Sequence, residues 1–273
     1  MNEREPRSAI GRYKVVEQLE NHPLGLTFKI IDPDNHCYAG LKTFFDHPAV
    51  MTGGLDVGVV RELAKRRASE CFLSYYRIHP VRPQHVGTEE RPLLITEWIE
   101  GVTLQELLRI RRTLTLPETV TVLTELADAV DAGDHVDPPP LDEVLIAPLN
   151  TRGEFLPAAT ANSMLRAEFG QWPQMLIKFD PIGRRLPQPI DHSGGQTKVA
   201  APWPVWIKPT NESKIAYLAY LMLGGRPGIG SSPRLSQIPE LGEAGNDLLH
   251  QVIHSRGQER LSAPQFVARL QTV

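Results

Sequence analysis

Lys42 closes a short apolar run, Ala39-Gly40-Leu41-Lys42, and Glu62 follows twenty residues later inside a stretch with helical spacing. A lysine and a glutamate so placed are either two solvated charges or an ion pair that orients the lysine. Pairing alone contributes only ~0–1 kcal/mol, so the pair earns interest only if it grips something. Other chemistries have little support. The nine histidines show no metal-ligand spacing, and no HExxH or CxxC motif occurs. Cys37 and Cys71 make neither a disulfide framework nor a metal site, and they fit a reducing cytoplasm. Gly53-Gly54 and Gly194-Gly195 read as loops, not as phosphate cradles opening helices.

The scaffold comes next. A chain of 273 residues is long enough for one bilobal domain or two small ones. The net charge of −3 leaves no global basic field, which argues against nucleic acid as a partner. The opening MNEREPRSAIGRY is charged and has no apolar signal core. No run approaches the ~18–20 apolar residues needed to cross a bilayer.

Strand-like runs lead the chain. Tyr13-Lys14-Val15-Val16 and Leu26-Thr27-Phe28-Lys29-Ile30-Ile31 are separated by the break Asn21-His22-Pro23. Asp32-Pro33-Asp34-Asn35 is a turn cluster, and a third strand runs from Cys37 to Thr43. Val59, Val60, Leu63 and Ala64 recur at helical spacing. Leu93 to Ile99 is a further strand, ended by Gly101, which sets a lobe boundary near residue 100. The remainder is mainly helical. Thr103 caps a helix carrying Leu104, Leu107 and Leu108, and Pro117 opens another with Val120, Leu123, Ala127 and Val130 on one face. Ile215 to Leu223 is apolar on every side, so it belongs in a core. Ser262-Ala263-Pro264 starts a last helix with Phe266, Val267 and Leu270. No internal repeat is present, and clustered prolines leave residues 136–209 irregular.

This order of elements carries residues that resemble the bacterial eukaryotic-like Ser/Thr protein kinases. Arg12-Tyr13 through Lys29 resembles their RYxxxxxLGxGxxGxVYK opening, and Ala39-Gly40-Leu41-Lys42 resembles the VAxK strand. Arg61-Glu62 resembles the helix motif that follows. Ile95-Thr96-Glu97-Trp98-Ile99-Glu100-Gly101 resembles the hinge VMEYIEG, with TLxELL after it at Thr103 to Leu108. Gly225-Arg226-Pro227 resembles part of LLTGRPPF, and Arg260 the late arginine before the last helix. The match runs intermittently from about residue 12 to 271. It implies an α+β, protein-kinase-like two-lobed fold: a small β-rich N-lobe over residues 1–100 and a mainly helical C-lobe over 101–273. Residues 147–174 look like an insertion.

The resemblance also implies a nucleotide site of Gly25, Ala39, Lys42, Glu62, Glu97 and Ile99, and the motifs depart from the family's pattern within it. The three glycine-loop positions hold Glu20, His22 and Gly25, so only the last glycine survives. Glu20 brings negative charge toward the phosphates, and Pro23 removes a backbone donor. Lys42 would bind phosphate oxygens with Glu62 orienting it. One turn after Glu62, Arg66 stands where active members place an apolar side chain.

The catalytic loop HRDLKPEN has two registers here. In one, His135 and Asp137 match HxD and Asp142 takes the place of the metal-binding asparagine, with Glu143 inserted. In the other, anchored on Val144-Leu145-Ile146, Pro138 replaces the catalytic aspartate and Glu143 the asparagine. The second is preferred, because burial fixes the strand and the loop is tight. In both, proline replaces the loop lysine. In the metal-binding DFG motif Asp180 keeps the acid, but Pro181 and Ile182 replace Phe and Gly. No Ala-Pro-Glu motif follows. Trp206-Ile207-Lys208-Pro209 stands in that neighbourhood, Arg260 loses its expected partner, and Ser193 and Thr197 are the candidate phosphorylation sites.

The expectation is therefore a catalytically inactive, pseudokinase-type binding or regulatory module of a bacterial cytoplasm. It would hold no cofactor, or weakly bound ATP with Mg²⁺, and other proteins would be its partners, through residues 147–174 or 184–209. The alternative is a divergent active Ser/Thr kinase using Lys42 and Glu62, Asp137 as base, and Asp142 and Asp180 on Mg²⁺. Nucleotide binding without transfer lies between the two.

Overall fold

Alternating apolar and polar residues build the first of two units in this computed structural model. The described residues are 9–22, 25–44, 75–81, 91–132, 138–139, 141, 143–166, 174–179, 203–204, 206–207, 210–226, 235–254 and 261–273. The chain passes from the first unit to the second between Trp98 and Ile99.

The first unit is a sheet of β1 (Ala9–Ile10), β2 (Tyr13–His22), β3 (Gly25–Asp32), β4 (Cys37–Phe44), β5 (Tyr75–Val81) and β6 (Arg91–Glu97), in the order β1-β2-β3-β4-β6-β5. All neighbours are antiparallel. The period of two sends Tyr13, Val15, Phe28, Ile30, Ala39, Leu41 and Ile95 into one core. Lys14 and Val16, between and after the buried positions of β2, are exposed. The turn cluster after β3 closes on buried Asp32. Its carboxylate accepts the Asp34 N–H at 3.0 Å and Asn35 Nδ2 at 2.9 Å, the aspartate-turn geometry that makes this residue type a turn former. Both strands flanking residues 23–24 are longer than the sequence pattern suggests. The ladder runs, through two irregularities in β2, to a last pair of His22 and Gly25.

The second unit contains β7 (Val102–Thr103), α1 (Leu104–Arg111), α2 (Leu116–Ala132), β8 (Val144–Leu149), α3 (Ala158–Arg166), β9 (Gln174–Phe179), α4 (Asn211–Met222), α5 (Gly242–His254) and α6 (Ala263–Leu270). β7, β8 and β9 form a small antiparallel sheet in that order. α4 lies at the centre, packed against α2, α5 and α6. Every residue from Ser213 to Tyr220 is buried, as an all-round apolar helix requires. The helix starts are capped by the residues the sequence marks. Thr103 Oγ1 accepts the Glu106 N–H at 3.1 Å, and Ser262 and Gln265 form a reciprocal capping box.

A second box, Thr115 with Glu118, opens α2. Glu118 Oε2 accepts the Thr115 N–H at 2.8 Å, and Thr115 Oγ1 accepts the Glu118 N–H at 3.4 Å. Glu118 is fully buried. Arg111 at the end of α1 makes its burial tolerable with a two-pronged ion pair, Nη2 to Oε2 at 2.8 Å and Nη1 to Oε1.

Within residues 147–174, β8 continues to Leu149 and the turn behind it is held by Asn150. Its side-chain oxygen accepts the N–H groups of Arg152 at 2.8 Å and Glu154 at 3.0 Å. Gly153 supplies the positive φ of 78°. α3 packs on α1 and β8 through buried Ala161 and Leu165. Phe155 in this stretch is 39% exposed. No described helix is long and apolar enough to cross a membrane.

Candidate functional site

Lys42 belongs to the sheet face opposite the core. It sits across from Thr27 on β3 and Leu94 on β6, and Gly40 sits across from Lys29 and Thr96. The same alternation turns Ala39 into the core with Leu41, at 0% exposure. The small residue sharing a face with Lys42 is therefore Gly40, two positions away, and not Ala39. Ala39 was expected beside a nucleotide; strand parity makes it a packing residue. Gly40 has its own constraint. A Cβ there would run into Thr96 Oγ1, and Thr96 is 2% exposed.

Farther along this face the Lys29 ammonium lies between two rings, 4.3 Å from the centre of Tyr38 and 4.6 Å from that of Trp98. Such cation–π contacts contribute ~0.5–1 kcal/mol when exposed. The buried Trp98 indole N–H has no hydrogen-bond partner among the described residues. Lys42 is half-buried, Glu97 is half-buried on the face of Ile95, and Ile99 is buried. The Gly101 N–H donates to Ile99 O at 3.0 Å. Gly101 then passes so close to β8 that a Cβ would meet the Ile146 carbonyl, which explains a glycine there.

The strand that should follow the catalytic loop is firmly set. Val144 and Ile146 are fully buried. Thr103 pairs with Leu145, and Val144 pairs with Phe179. Ahead of it Pro138 and Pro139 are buried, and the Leu141 carbonyl accepts the Gln105 N–H at 3.0 Å. Of the other expected site residues, Glu62, Asp137, Asp142 and Asp180 lie outside the described residues, as do Arg66, His135 and Arg260. Gly25 is described through its backbone, where it begins β3 opposite His22. The described residues contain no group of three or more acidic, histidine or cysteine side chains able to hold a metal ion.

Sequence reasoning missed a ring layer in the helical unit. Trp206 stands edge-on to Tyr217 with centres 5.3 Å apart, and it lies tilted on His254 at 6.0 Å. His250 is 5.7 Å from His254. Burial, and then neighbouring His250, hold the His254 imidazole below the ordinary histidine value of 6.5. Burial pushes the Tyr217 hydroxyl up, with a smaller contribution from Tyr220. The only sequence signal was the i, i+4 spacing of His250 and His254 on one helix face.

The chain is similar in structure to the PknI kinase domain of Mycobacterium tuberculosis. Identity is 16%, with 98% of this chain and 98% of that chain covered and a TM-score of 0.57. A single mutant of the same domain gives 15% identity, 98% of each chain and a TM-score of 0.59. A double mutant gives 16%, 98% of this chain, 99% of that chain and 0.61. No family model and no curated protein sequence matches the chain. At such identity the likeness defines the fold. The chain has the protein-kinase fold, α+β, with a small antiparallel sheet unit and a mainly helical unit.

Proposed function

We propose that this chain is a kinase-like module of the bacterial Ser/Thr type that does not transfer phosphoryl groups and works by binding other proteins. The observation carrying this reading is the fixed start of β8 behind buried prolines. Val144 and Ile146 are buried; Ile146 pairs with Val102 on one side and Ile177 on the other, and Val144 pairs with Phe179. Counting back from that anchor puts Pro138 at the base position and Glu143 at the metal-binding position. Asp137 and Asp142 are then each one residue out of place. Proline has no group to accept a proton, and loss of a general base typically costs ~10²–10⁴-fold. Cytoplasmic residence belongs to the same reading, which the free thiol of exposed Cys37 suits.

A second reading, nucleotide binding without transfer, is favoured by half-buried Lys42 on the sheet face opposite the apolar cluster. Lys42 fits a phosphate oxygen, and Asp180 would be the residue left for Mg²⁺. A thermal-shift assay with ATP, with and without Mg²⁺, separates the two. Ligand at ~100 Kd stabilises a binder by roughly 2.7 kcal/mol, and Lys42→Ala should abolish that gain. Absence of any shift leaves a protein-binding module alone. Affinity capture by the whole chain should then recover a specific partner. Failure to do so, together with ATP turnover, contradicts the proposal.

A further inference from the structure

Rings from three parts of the helical unit meet in one layer. Trp203 and Trp206 come from the segment ahead of α4, Tyr217 from α4, and His250 and His254 from α5. Ile207 is buried beside them, and its N–H donates to Pro204 O at 2.9 Å. The segment is thus pinned by apolar rings where the resembled kinases place a glutamate that reaches a distant arginine.

We propose that this layer is an acid-sensitive clamp: uncharged His254, with the His250 ring beside it, holds Trp206, and with it Trp203, Pro204 and Ile207, on α4 and α5, and proton uptake by His254 loosens that segment. The geometry makes protonation costly. His250 Nε2 is buried with no hydrogen-bond partner among the described residues. This edge of the ring pair therefore presents no acceptor to a new N–H beside it. The two imidazoles are close enough that charge on one opposes charge on the other.

The surrounding charges give little relief. On α5, Glu243 and Asp247 are exposed, so solvent screens their charges. α4 contributes Tyr217, uncharged at these pH values, half-buried Glu212 in its first turn, and buried Lys214, a cation. α6 contributes exposed Arg269, again positive. The buried carboxylate of this unit, Glu118, is engaged by Arg111. An imidazolium would gain some cation–π attraction to Trp206, which opposes but does not replace the missing acceptor. A histidine held uncharged binds fewer protons folded than unfolded. Its stabilisation is therefore complete above the ordinary value of 6.5 and declines as the pH falls below it.

Hydrogen exchange of peptides spanning residues 203–207 in the whole chain tests the clamp, at pH about 7.5 and about 5.5 and corrected for intrinsic exchange. Protection should fall about tenfold or more at the lower pH. It should stay level in the His250→Gln/His254→Gln variant. Equal loss in the variant, or no loss in the unmodified protein, overturns the proposal. A histidine C–H NMR titration of the unmodified chain guards against a misfolded variant. His254 should titrate below exposed histidines, and a midpoint at or above theirs overturns the clamp.

Discussion

The sheet unit and the helical unit of this molecule bury their residues in different ways. The helical unit surrounds α4, whose residues from Ser213 to Tyr220 are covered on every side. The sheet unit covers one face with Tyr13, Val15, Phe28, Ile30, Ala39, Leu41 and Ile95, and its other face carries Lys29, Tyr38 and Lys42. The helical core is thus enclosed on all sides, whereas Lys29, Tyr38 and Lys42 sit where the sheet is only partly covered. At β8, burial locks Val144 and Ile146, and the buried residues ahead of them are Pro138 and Pro139.

Core truncation breaks the comparison most visibly. Phe266→Ala, in the helical core at 0% exposure, should cost about 3–5 kcal/mol in denaturant unfolding. Leu41→Ala, equally buried in the sheet core, should cost about 2–3 kcal/mol, because the apolar cluster around it is much smaller than the helical core. Equal losses would blur the distinction between the units. Next comes Glu118→Ala, which removes the two-pronged partner of Arg111 and the acceptor for the Thr115 N–H. About 3 kcal/mol is expected, and a loss under about 1 kcal/mol would show that solvent reaches the arginine.

Gly40→Ala sharpens the picture of the sheet face. Its Cβ meets Thr96 Oγ1, so about 1–3 kcal/mol should be lost. Adding Thr96→Ala should restore most of it, and strict additivity of the two changes would contradict the contact. The smallest effect is expected at Lys42. Lys42→Ala without ligand should move stability by less than about 0.5 kcal/mol, the usual range for residues outside the packed core. A larger loss would make Lys42 structural and weaken its reading as a ligand-facing residue.

Much of the scaffold was legible because its signals are local. Period-two burial marked β3 and β4, the cap residues Thr103 and Ser262 marked α1 and α6, and the apolar run marked α4. β5 was missed because Tyr75–Val81 contains arginine, histidine and proline and pairs at the sheet edge. α3 hid in a stretch read as an insertion, since Ala158–Arg166 is short and shows only Met164 and Leu165 as large apolar residues. At the site, parity from Lys42 already selects Gly40, yet the motif's letter pattern drew attention to Ala39. The ring layer was invisible because Trp206 and His254 meet across a long separation that no local periodicity encodes.

Phosphoryl transfer itself gives the most direct test. Purified chain incubated with radiolabelled ATP, Mg²⁺ and protein substrates should transfer no label above background, and Lys42→Ala and Asp180→Ala variants should look the same. Transfer by the unmodified protein that disappears in both variants would contradict an inactive module and establish the divergent kinase that uses Lys42, Glu62, Asp137, Asp142 and Asp180.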